Sequence, residues 1–101
     1  MRERDIEAHL VRRVKELGGE VRKVQWIGRR GAPDRLVMLP ARTVRVPGGR
    51  IEYEDETVWV ELKAPGAEPE PHQLREHERM RKLGQRVVVI DSIEGVEELL
   101  P

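Results

Sequence analysis

The chain has 101 residues, 38% of them charged, with 19 basic residues balanced by 19 acidic ones and no cysteine. That length serves a single domain, 1–101, whose modest core must rest on Val, Leu and Ile, since Trp26, Trp59 and Tyr53 are the only aromatics. Disulfides and thiolate metal sites are excluded, and no apolar run approaches the roughly 20 residues of a membrane span, so a soluble, cytoplasmic protein is expected.

Residues 4–17 read as an amphipathic helix, with Ile6, Leu10, Val14 and Leu17 at helical spacing and Gly18-Gly19 as its stop. From Glu20 to Ile27 the side chains alternate, which predicts a first strand. Gly28 to Pro33 is a loop, and Asp34 opens a second strand that runs to Leu39. Pro47-Gly48-Gly49 sits between 43–46 and 50–53 and marks a hairpin excursion. After the acidic turn 54–56, residues Thr57 to Lys63 form a β-branched and aromatic strand. A Pro- and Gly-rich connection over 64–70 leads into a helix over 71–83, with Pro71 suited to its first turn and Gly84 ending it. Residues 86–90 are a short buried strand, and 92–100 a last helix capped by Ser92. Leaving out the hairpin, the order is α-β-β-β-α-β-α.

Net charge is zero but unevenly spread. From Glu20 to Arg50 eight basic residues face two acids, whereas from Ile51 to Glu70 Lys63 stands alone against seven. A basic stretch beside an acidic one suits a phosphate-binding surface around a carboxylate site, and equally suits solvated strands and turns.

Chemistry concentrates at Pro33-Asp34 and at Glu61-Leu62-Lys63. Alternation along a strand puts Glu61 and Lys63 on one face. Pairing of the two strands would bring Asp34 to the same spot. Two carboxylates that hold a hard cation, beside an ammonium, suit attack on a phosphodiester. With the carboxylates near it Lys63 is a charge stabiliser rather than a base. Glu7 falls within the arc of Ile6, Leu10, Val11 and Val14, a costly place for a carboxylate unless it coordinates an ion or is paired, to Lys23 for instance. Gln73 shares a helical face with His77 and Met80, which points it at the sheet. There it could bond Glu61, a water or a phosphate, or serve as a cap. Zinc, P-loop and serine-nucleophile sites find no support: the histidines are not spaced as ligands, no Gly-rich Lys-Ser/Thr motif occurs, and Ser92 is the only serine.

Glu7, Gly31-Ala32-Pro33-Asp34, Glu61-Leu62-Lys63 and Gln73, in this order from Glu7 to about Ile90, resemble the motif set of the VRR-NUC domain in the PD-(D/E)xK nuclease superfamily. The resemblance implies an α/β, restriction-endonuclease-like α-β-β-β-α-β core with a small mixed sheet flanked by helices. It implies a homodimeric, Mg²⁺- or Mn²⁺-dependent endonuclease acting on DNA, with branched substrates such as four-way junctions. Asp34 and Glu61 would be metal ligands with Glu7 assisting, Lys63 would orient the attacking water, and Gln73 would support the site. Strand geometry adds the Leu62 carbonyl as a further ligand. The hairpin over 42–53 exceeds what that core needs. A DNA-binding domain of nuclease fold that does not cut is the alternative. A protein-interaction domain, with Glu-x-Lys a mere ion pair, is a third reading.

Overall fold

A computed structural model describes all 101 residues. It contains α1 (Glu3–Glu16), β1 (Glu20–Lys23), β2 (Arg35–Leu39), β3 (Arg42–Val46), β4 (Gly49–Tyr53), β5 (Glu56–Leu62), α2 (Pro71–Lys82), β6 (Val87–Ile90) and α3 (Ile93–Leu99). The mixed α/β architecture expected from the sequence is present. Four strands form one sheet in the order β1-β2-β5-β6, antiparallel except for the parallel β5–β6 pair, and β3–β4 form a separate two-stranded ribbon. The parallel pair requires a crossover, and α2 supplies it.

Alternation along β2 and β5 gives the sheet two unlike faces. Val37 and Leu39 on β2 lie beside Val58, Val60 and Leu62 on β5, and all are buried. Against them pack Ile6, Leu10 and Val14 of α1, spaced four apart on one stripe, with Val96 and Leu99 of α3 and the following Leu100. This dry face holds the core. At about 1.5–3 kcal/mol per buried aliphatic side chain, it carries most of the favourable burial. The opposite face carries Trp59, Glu61 and Lys63, and α2 covers it with Gln73, His77 and Met80.

The predicted elements fall within a residue of the observed ones apart from the first strand, which ends at Lys23 rather than Ile27. The alternation continues past Lys23, but the partner does not. β2 begins at Arg35, and only one further ladder bond forms, from the Val24 N–H to the Asp34 carbonyl at 2.9 Å. Beyond it the chain turns so that Trp26 packs at a tilt against Trp59, centroids 5.1 Å apart, and donates its indole N–H to the Pro33 carbonyl at 2.8 Å. No helix is long and apolar enough to cross a membrane.

Candidate active site

Register places the acidic groups at one end of the sheet. Arg35 is opposite Val60, so Asp34 comes level with Glu61 on the face covered by α2. The loop before Asp34 is packed onto α2. Gly31 has φ +86°, and a Cβ there would stand 2.8 Å from the His72 carbonyl oxygen, so the loop backbone lies directly on the start of α2. Arg29 reaches from the same loop to the buried Glu76 of α2 at 3.1 Å, and Pro33 is fully buried.

Glu61 is only 8% exposed. Burial pushes its carboxyl up to about 7; the negative charges of Asp34 and Glu3 add to this, while Lys63 and Arg35 oppose it. Its Oε1 lies 3.3 Å from Nε2 of His77, a side chain with no solvent exposure at all. Burial, together with the nearby Arg81 and Lys63, holds His77 below the usual imidazole range, while Glu76 opposes. A neutral imidazole protonated at Nε2 donates to Glu61. Its Nδ1 is then a buried acceptor without a partner, and the structure contains no other buried side-chain polar atom in that condition.

Lys63 Nζ donates to Gln73 Oε1 at 2.8 Å, and the same oxygen accepts the Glu70 N–H at 2.8 Å at the N-terminus of α2. Gln73 therefore caps its helix and holds Lys63 at once. It bonds the ammonium rather than the Glu61 carboxylate, because its oxygen is already turned toward donors at the cap.

Glu7 does not join Asp34 and Glu61. Its carboxylate is taken by Arg35, whose Nε donates to Oε2 at 2.6 Å, while Arg35 Nη1 contacts Asp34 Oδ1 at 2.9 Å. Burial disfavours the Arg35 charge, but Glu7 and Asp34 more than offset this and hold its pKa above the ordinary value. The pairing expected for Glu7 as the alternative to metal binding thus exists, with Arg35 rather than Lys23. Lys23 sits opposite Arg35 in the ladder, but Arg35 carries the planar fork that spans two carboxylates. No three His, Asp or Glu side chains gather closely enough to cage one ion.

The donor set nonetheless fits a hard cation. Asp34 and Glu61 turn two carboxylates, hard oxygen donors, to one face of the sheet, and burial raises the Glu61 pKa. The Leu62 carbonyl adds a third oxygen. Trp59 and Lys63 give their N–H groups to Arg86 and Ile90 of the β6 side, so the Leu62 backbone faces β2. Continuing the register two residues beyond Arg35–Val60 sets Pro33 opposite, and proline has no N–H to donate. Mg²⁺ keeps several waters, so three protein oxygens suffice.

Arg35 and His77 were not singled out by sequence reasoning as site residues. His77 stood four residues after Gln73 on the sheet-facing side of α2, and Arg35 directly follows Asp34. Their roles depend on pairing, which neither spacing reveals. A broad surface depression, bounded by Gly18, Met38, Asp55 and Thr57 among others, lies at the far end of β2 and β5, where Glu20 and Glu56 are already paired with Arg22 and Arg86.

No family model matches the chain. It is 46% identical over 101 residues to "Putative nuclease p44" of Acyrthosiphon pisum secondary endosymbiont phage 1, covering 100% of this chain and 94% of that protein. A solved structure described as a VRR_NUC domain aligns with a TM-score of 0.75 and 40% identity, over 97% of this chain and 92% of that one. Identity at this level along the whole length, together with the shared architecture, shows more than a common fold: the chain belongs to the VRR-NUC family of nuclease domains.

Proposed function

We propose that the protein is a divalent-metal-dependent endonuclease that hydrolyses phosphodiester bonds in branched DNA such as four-way junctions, acting as a homodimer. The observation that carries the metal-dependent reading is the buried Glu61 carboxyl. It shares a sheet face with Asp34 and lies two residues from a Lys63 ammonium fixed by Gln73.

Asp34, Glu61 and the Leu62 carbonyl would hold Mg²⁺ or Mn²⁺. When bound, the ion polarises the phosphoryl oxygen and lowers the pKa of the attacking water. Arg35, anchored by Glu7, fixes the Asp34 carboxylate, and Glu7 contributes through that anchor. His77 donates to Glu61 and holds the other carboxylate in place. Lys63 presents its ammonium where charge develops on the phosphoryl oxygens, and Gln73 keeps it there without pairing it to an acid. The branched substrate and the dimer rest on symmetry: a four-way junction is two-fold symmetric, and a C₂ dimer sets two such sites against opposed strands.

The test is cleavage of labelled four-way junction, flap, linear duplex and single-stranded DNA in Mg²⁺, Mn²⁺ or EDTA. Glu61→Ala and Lys63→Ala run beside the wild type. Expected is junction-selective cutting that EDTA and either substitution remove, Lys63→Ala lowering the rate at least 100-fold while keeping metal binding in titration calorimetry. Cutting that survives EDTA would overturn the metal-dependent reading. Equal cutting of every substrate would overturn the selectivity. Tight binding without cutting would establish the non-cleaving alternative.

A further inference from the structure

Ile27 is 95% exposed, more than any other large apolar side chain, including the terminal Met1 at 74%. Single exposed aliphatic residues are common. Ile27 is distinguished by its neighbours, which are anchored on both sides. The residue before it, Trp26, is packed against Trp59 and bonded to the Pro33 carbonyl. Gly28 follows with φ +71°, then Arg29 pinned to Glu76, then Gly31 seated on the His72 backbone. Each anchor restricts the loop, and together they hold one isoleucine out into water. Arg29 and Arg30, both exposed, follow it in the loop. The loop leads through Pro33 into Asp34, so the tip belongs to the segment that delivers Asp34, and its neighbour Trp26 is bonded to the Pro33 carbonyl.

An apolar tip between anchored residues, with Arg30 beyond it in the same loop, matches a particular surface. The flat face of a base pair at an interrupted stack is apolar and bordered by phosphates. Apolar residues inserted at base steps hold DNA unstacked or kinked in this way. A linear duplex hides that face between neighbouring pairs, whereas a branch point opens it at little cost. We propose that Ile27 is a wedge that packs on the base pair at a DNA branch point, with Arg30 on a flanking phosphate, and that it sets the preference for branched over linear substrate. This rests on the nuclease reading above and adds the element by which the branch is recognised.

The test uses the full chain carrying Glu61→Gln, so that binding is read without cleavage. A four-way junction and a linear duplex carry 2-aminopurine at the corresponding step. The parent should raise 2-aminopurine fluorescence in the junction and bind it more tightly than the duplex. Adding Ile27→Ser should abolish the rise and cut the junction-over-duplex affinity ratio about ten-fold, the scale of one lost buried aliphatic side chain. Ile27→Leu should retain both. Because the side chain touches solvent, thermal melts of these variants should coincide with the parent. An unchanged signal and ratio in Ile27→Ser would overturn the wedge while leaving the junction nuclease intact. A parent that does not prefer the junction would overturn the branched-DNA reading and the wedge with it. If Ile27→Ser instead converts a dimer to a monomer in sedimentation without DNA, the tip is a contact between copies and the wedge is overturned.

Discussion

A carboxyl buried beside another acid holds its proton to a higher pH than a solvated one, and Glu61 without a metal ion follows that rule. Its folded pKa of about 7 lies above the ordinary value of 4.5, so proton binding favours the folded state. The stabilising effect is complete below pH 4.5 and is lost as pH rises through 7. In EDTA, Glu61→Gln, which mimics the neutral acid, should therefore become more stable than wild type as pH rises. The gap should widen by roughly 2–3 kcal/mol between pH 5 and pH 8, from about 1.4 kcal/mol per unit of pKa shift. Comparing the pair at each pH removes most of the contribution of His77. Its lowered pKa acts oppositely, with stability present above the ordinary imidazole pKa and lost as pH falls. Urea denaturation at the two pH values decides the matter; a constant gap would place the Glu61 pKa in the usual range.

At the scale of elements, the segment 28–33 shows how a short loop is aimed. Gly28 and Gly31 both have positive φ, at +71° and +86°, but only Gly31 meets its surroundings. A Cβ at Gly28 would touch nothing within 4 Å, whereas at Gly31 it would press on the His72 carbonyl. Gly28→Ala should cost about 1 kcal/mol, the conformational term alone. Gly31→Ala should cost about 2 kcal/mol or more in denaturant, and should slow cleavage by shifting Asp34 away from Glu61. Equal losses would mean that the loop is not seated on α2.

The same segment marks where the sequence stopped being readable. Helix stripes, Gly stops and the Glu61–Lys63 alternation are local properties, and the elements follow them closely. The length of β1 is not local, because its end is set by where β2 begins. Nor could spacing reveal that Arg35 would bridge Glu7 to Asp34, or that His77 would sit against Glu61. Those contacts arise only once helices and strands are brought together by a register that no single segment encodes.

Over the whole molecule, the sheet separates two tasks: one face is dry and closed by α1 and α3, while the other keeps its acids, Lys63 and His77 under α2. The β3–β4 ribbon belongs to neither. Its projection contributes to extents of 46 × 33 × 21 Å, and Arg45 stands directly opposite Arg50, a like-charged pair that favours neither strand. Arg42 provides the main tie, lying 4.6 Å over the Tyr53 ring and donating to the Pro101 carbonyl. At the ribbon's base, Leu39 and Glu56 are already partners in the main sheet, so residues 40–55 leave and return at the same point. An Asn-Gly turn could close β2 onto β5 directly. Replacing 40–55 with Asn-Gly should leave the helical circular dichroism signal unchanged and lower Tm by no more than about 5 °C, since the apolar cluster of α1, α3 and the sheet lies elsewhere. Loss of cooperative melting would show that the ribbon shields the core edge at Leu39 and Leu99. If melting is retained but binding to four-way junctions is weakened, the ribbon instead serves the substrate or the second copy.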